Sequence, residues 1–95
     1  MKRSNRWPRN IYDAVRILDK VISEMDKNAI RSLPRSELDS LHSTLGVVIQ
    51  KEFGLMSGND ELVTATLEVD AYLASMTIIR EFWDHLHLPK VPVVH

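Results

Sequence analysis

The sequence predicts an all-α protein, a compact bundle of four to five helices. Three observations carry that expectation. Apolar residues recur at three- and four-residue spacings along most of the chain, the pattern of helices burying one face. Residues that cap helices (Asn10, Ser23, Ser36, Asn59, Asp70) stand just before those periodic runs. The 3 glycines and 4 prolines are few and gather mainly at boundaries, so secondary structure is nearly continuous.

With 95 residues the chain forms a single domain, residues 1–95, with an ordered core at about 7–88, a basic arm at 1–6 and an extended tail at 89–95. A hydrophobic content of 44% with 26% charged residues is globular, too apolar for disorder and too interrupted for a membrane span. The net charge of -1 gives no global field toward nucleic acid or an anionic membrane. Zero cysteines leave no disulfide framework, zinc ribbon or thiol nucleophile. The N-terminus lacks an uninterrupted apolar core of the secretory kind, so a cytoplasmic protein is expected.

In residues 1–9, Lys2, Arg3, Arg6 and Arg9 surround Trp7 and Pro8. Such a cluster can hold phosphates while an aromatic stacks a base. The plainer reading is a loose start that ends where Trp7 folds onto the core. Asn10 then caps a helix whose apolar positions, Ile11, Ala14, Val15, Leu18, Val21, Ile22 and Met25, share one face. Ser23 with Asp26 forms a capping box that opens a short helix at 24–32, expected to bury Met25, Ala29 and Ile30. Pro34 stops it and holds Leu33 extended.

Residues 36–55 read as the central helix, with Leu38, Leu41, Leu45, Val48, Ile49 and Phe53 on one stripe. Ser36 and Asp39 resemble a capping box, and Gly54 closes the last turn in a left-handed conformation, with Leu55 folding back. His42 lies on the stripe and reads as a partly buried structural residue hydrogen-bonded to backbone or carboxylate. Its rival role, a general base with Glu52 or a metal ligand, lacks a second ligand at a helical spacing. Gly46 in mid-helix costs roughly 1 kcal/mol against alanine, which a closely crossing helix would explain.

The stretch GLMSGN at 54–59 is a helix connection, and Asn59 caps a short helix with Asp60 and Glu61 in its first turn and Leu62, Thr66 and Val69 inward. Asp60, Glu61, Glu68 and Asp70 make this region wholly acidic: either a solvated rim or a surface for a basic partner. Asp70 caps the last helix, where Tyr72, Ser75, Met76, Ile79, Phe82, Trp83 and Leu86 trace one face. Leu73, Ala74 and Ile78 point elsewhere, which suggests burial on several sides or self-association as a homodimer through this helix. His85, His87 and His95 read as surface histidines, so no metal and no cofactor is expected. No dinucleotide fingerprint, serine elbow or catalytic carboxylate pair occurs, and no enzyme is expected.

The stretches WPRNIYDAV, LHSTLGVVIQKEFGLMSGNDEL and ASMTIIREFW together resemble a family of small bacterial helical proteins of unassigned function. Its pattern is a W-P opening, H-x-x-L-G-x-x-I-x-x-x-F-G-L, N-x-x-L and A-S-x-x-I-I-x-x-x-W, spanning about residues 7–86. Trp7, Pro8, His42, Gly46, Phe53, Asn59 and Trp83 occupy matching positions, while Gln50, Lys51 and Met56 depart from it. A shorter stretch, about residues 41–62, is similar to helical immunity proteins of interbacterial toxin systems. That similarity implies a cytoplasmic antitoxin that masks the active surface of a cognate toxin domain, with Asp60, Glu61, Glu68 and Asp70 as partner-binding residues. Trp7, His42, Gly46, Phe53 and Trp83 are then structural. The alternative is a nucleic-acid-binding or regulatory module using the basic arm.

Overall fold

A computed structural model describes residues 7–88; the basic arm expected at 1–6 and the extended tail expected at 89–95 lie outside that range. Its elements are α1 (Ile11–Val21), α2 (Glu24–Ser32), a 3₁₀ segment (Arg35–Leu41), a π turn (His42–Gly46), α3 (Val47–Glu52), α4 (Asp60–Ala65) and α5 (Ala71–Leu86). Among the described residues there is no strand.

The molecule is assembled on α5, and the segment at 36–55 is only one of its neighbours. Every other element packs against α5. Its 16 residues give a rod about 24 Å long. Ala74, Ser75, Met76, Ile78, Ile79 and Phe82 are all buried, so helices are needed on several sides of it. Of the three apolar residues that suggested self-association, Ala74 and Ile78 are covered within the chain, with no exposed surface, and Leu73 is not. Tyr72 and Leu73, at its first turn, remain exposed.

The expected central helix is broken into three windings. The 3₁₀ segment turns every three residues, which puts Leu38 and Leu41 on one edge toward the core. The wider π turn resets the phase, so Leu45, Ile49 and Phe53 face inward at four-residue steps, whereas Val48 is half exposed. Hydroxyls drive part of the distortion: Ser40 Oγ donates to the Glu37 carbonyl at 2.8 Å and Thr44 Oγ1 to the Leu41 carbonyl at 3.3 Å, competing with the regular ladder. The Ser36 capping box does not form, because the segment already begins after Pro34, with no side-chain cap.

The other caps form as the sequence predicts. Asn10 accepts from the Asp13 amide at 2.8 Å, Ser23 from Asp26 at 3.1 Å and Asp70 from Leu73 at 2.8 Å. Leu33 is extended at φ -75, ψ 141. At the end of α3, Gly54 takes φ 66, its amide reaches the Lys51 carbonyl and Leu55 N donates to the Gln50 carbonyl at 3.0 Å, a Schellman closure that buries Leu55.

Several inward residues were misplaced by helical periodicity. Val21, Met25 and Ala29 are exposed, because α1 ends at Val21 and Ile22 is extended, so α2 starts on a new axis. Lys27 takes the inward place beside Ile30. It is 8% exposed, and its ammonium lies 3.0 Å from Asp19 and 3.2 Å from Glu24. Val69 is exposed for a related reason: α4 stops at Ala65 and does not carry its inner line past Thr66.

Candidate functional site

The four carboxylates singled out in the sequence fall in two pairs at the two ends of α4. Asp60 and Glu61 open the helix; Glu68 and Asp70 follow its close, after about 9 Å of helix. Glu61 accepts from Arg9 at 2.7 Å across the surface, an exposed pair worth under about 1 kcal/mol. Glu68 accepts from the Thr77 hydroxyl at 3.2 Å, and Thr77 accepts in turn from Arg80 at 3.2 Å. Asp70 is occupied in capping α5. Asp60 alone has no such side-chain partner among the described residues. Three of the four acids thus hold the fold together before they meet anything else.

What the sequence did not reveal is the apolar material between them. The Thr66 hydroxyl donates to the Val63 carbonyl at 2.6 Å and accepts from the Glu68 amide at 3.3 Å, which closes α4 tightly. Leu67 is thrown into the left-handed region at φ 65 and is 90% exposed; Val69 is 86% exposed. A leucine there costs about 1 kcal/mol or more in backbone strain where glycine would cost none. The absence of Gly or Asn between α4 and Asp70 was the readable signal that some ordinary residue must take this conformation.

Asn59 has more work than a cap. It is buried, its amide donates to the Pro8 carbonyl at 2.9 Å and the Phe53 carbonyl at 2.8 Å, and its oxygen accepts from Leu62 N at 3.4 Å. One side chain therefore ties the chain's entrance, the end of α3 and the start of α4. Trp7 is half-buried and lies over Gly54, where a Cβ would overlap its indole ring. Phe53 is buried. Trp83 donates from Nε1 to the Leu33 carbonyl at 2.9 Å, with Arg35 5.8 Å above its ring and 2.8 Å from Asp84.

His42 is exposed and not partly buried, because the π turn rotates it out of the core; its ring still contacts the Asp39 carbonyl at 3.0 Å and meets Tyr72 edge-on at 5.7 Å. Glu52, its suggested catalytic companion, lines a groove between α1 and α3 instead. Gly46 does face α5, but a Cβ there would lie 3.6 Å from Ser75 Oγ, an ordinary contact, so crowding does not require glycine. Lys2, Arg3 and Arg6 lie outside the described residues, and Arg9 is turned onto Glu61.

The densest set of ionisable groups joins α1, α2 and α5. Hydrogen bonding to Lys27 holds the Asp19 carboxyl below its usual value, and the same bond raises Lys27. His85 Nε2 stands 3.7 Å from Asp19, and Arg31 donates to the Leu86 carbonyl at 3.1 Å. These groups pair with one another and clamp three helices. Among the described residues no three His, Asp or Glu side chains converge to hold a metal ion, and no helix is long and apolar enough to cross a membrane. His95 lies outside the described residues.

Comparison with known proteins gives a family without an activity. The family model described as Domain of unknown function (DUF6794) matches residues 7–86. No curated protein and no solved structure matches the chain.

Proposed function

The chain belongs to the DUF6794 family, a domain of unknown function, and from that premise we propose that it is a binding protein, an immunity protein that docks its α4–α5 corner on a cognate toxin domain and masks the toxin's active surface. The observation that carries the reading is Leu67, strained at φ 65 and 90% exposed. A free monomer gains nothing from either property, since glycine at this position would relieve the strain and remove the exposed side chain. Beside Val69, and flanked by Glu68 and Asp70, it offers an apolar knob in an acidic collar. The complementary surface is an apolar pocket rimmed by Lys and Arg, as on a toxin that handles nucleic acid or a nucleotide.

Rigidity supports the same reading. Caps at both ends of the corner and the Glu68–Thr77–Arg80 chain hold it in place, so little ordering is left for binding to accomplish. This reading predicts a toxin domain encoded beside this chain, and the test is calorimetry with that domain purified. Leu67→Ser and Val69→Ser are the informative variants, because both side chains stand exposed at the corner and neither supports the fold; Asp70→Lys would confound docking with loss of a cap. Weakening by about 2 kcal/mol for Leu67→Ser, the range of a buried interface anchor, is expected. Unchanged affinity for both variants refutes the corner as the docking face, and no complex at all refutes the immunity role.

A further inference from the structure

We propose that the groove between α1 and α3 binds an amphiphile: an apolar chain or ring carrying an anionic head. Leu18, Ile49 and Phe53 form its buried floor, Ile17, Val21 and Val48 its walls, and its volume is about 420 Å³, within the range of small-ligand sites. Val21 is 70% exposed and Val48 49% exposed, so the walls present apolar surface to solvent directly beside the core.

A second cavity of about 290 Å³ shares Pro8 and Ile17 with the groove and is lined by Trp7, Arg16 and Lys20. The two compartments follow from adjacent rows on α1. Ile17 and Val21 are four residues apart on the apolar row; Arg16 and Lys20, each one residue earlier, form a cationic row beside it.

Charge decides the class of ligand. Among the described residues Arg9, Lys27 and Arg35 are ion-paired, and Arg31 and Arg80 are hydrogen-bonded. Arg16, Lys20 and Lys51 have no acidic or hydrogen-bonded side-chain partner among the described residues, and two of these three line the cavity that adjoins the groove. That cavity sets two cations, Arg16 and Lys20, against one acid, Asp13, and Arg16 is held 5.6 Å over the Tyr12 ring. Glu52 lines the groove on the α3 side and repels an anion there. The head therefore lies at Arg16 and Lys20 beside Trp7, and the apolar part runs toward Val48 and Phe53. This inference is independent of the toxin-binding reading, whose residues lie on α4 and the α4–α5 corner.

Decanoate and decylamine, which share a tail and differ in head charge, test it when titrated into the full chain and followed by amide chemical shifts. Decanoate is expected to saturate below about 1 mM, a binding energy of about 4 kcal/mol, with shifts centred on Ile17, Val21, Val48 and Phe53. Decylamine should bind at least about tenfold more weakly, and the double variant Arg16→Glu/Lys20→Glu should lose about tenfold toward decanoate. Both positions are exposed; if that variant fails to fold, Arg16→Gln/Lys20→Gln carries the same comparison. Absence of saturation, equal affinity for the two heads, indifference to the cation substitutions, or shifts centred elsewhere would each overturn the proposal.

Discussion

Changing Gly46 and Gly54 separately to alanine sets one substitution in two environments and should give stability changes of opposite sign. Gly46 has helical angles, φ -60 and ψ -41, and its added Cβ would find His42 Cβ, the Leu41 carbonyl oxygen and Ser75 Oγ all at 3.6 Å. Helix propensity alone favours alanine there by up to about 1 kcal/mol. Gly54 has φ 66, where a Cβ costs about 1–2 kcal/mol, partly offset by about 0.5 kcal/mol from a stiffer unfolded chain. That Cβ would also overlap the Trp7 indole, and moving a large side chain off its packing site costs about 1.5–3 kcal/mol more. The expected sums are a gain of about 0.5–1 kcal/mol for Gly46→Ala and a loss of about 2–4 kcal/mol for Gly54→Ala. In a domain of this size each kcal/mol moves Tm by about 4–8 °C. Thermal unfolding by circular dichroism, with tryptophan fluorescence reporting Trp7, reads both. A marked loss for Gly46→Ala would mean that α5 crosses closer than 3.6 Å implies. A neutral Gly54→Ala would mean that Trp7 does not rest on that turn.

Replacing Asn59 with Ala should cost about 2–4 kcal/mol, because two buried carbonyls lose their donor and one helix loses its cap; a urea midpoint unchanged from the parent would exclude the hub. Stability should also carry a pH signature from the Asp19–Lys27 pair. Asp19 is lowered in the folded chain, so its contribution is present above the unfolded value of 3.8 and lost as pH falls through the folded one. Lys27 is raised, so its contribution is complete below 10.5 and lost as pH rises through the folded value. Urea midpoints of the parent and Lys27→Met across pH 2 to 12 should converge at both extremes, and parallel curves would contradict the pairing. Leu67→Gly should leave the free chain as stable or up to about 1 kcal/mol more stable, the strain relieved being offset by glycine's entropy. A clear loss of stability in thermal melts would show that Leu67 packs within the chain.

Helix starts were legible because a cap is a local device: Asn10, Ser23, Asn59 and Asp70 each satisfy amides within three residues of themselves. The α3 stop was legible for the same reason, since Gly54 answers a backbone requirement of its own turn. Less could be read where windings change. A uniform 3.6-residue period placed His42 and Val48 inward, but the 3₁₀ and π segments shift the phase of everything after Pro34. The candidate site was legible only in its charges. Periodicity marks which side chains are apolar, and it does not say that Leu67 will be turned outward by the close of α4.

By itself the sequence determined the all-helical class, the caps at Asn10, Ser23, Asn59 and Asp70, and the stop after α3, because these depend on neighbours along the chain. Only the tertiary structure decided that α5 is the common support, that Lys27 is buried against Asp19, and that Val21 and Val48 line an open groove. Those outcomes depend on which surfaces meet across the bundle, and the angle at which one helix approaches another is set by the whole set of contacts between them, which no local spacing records.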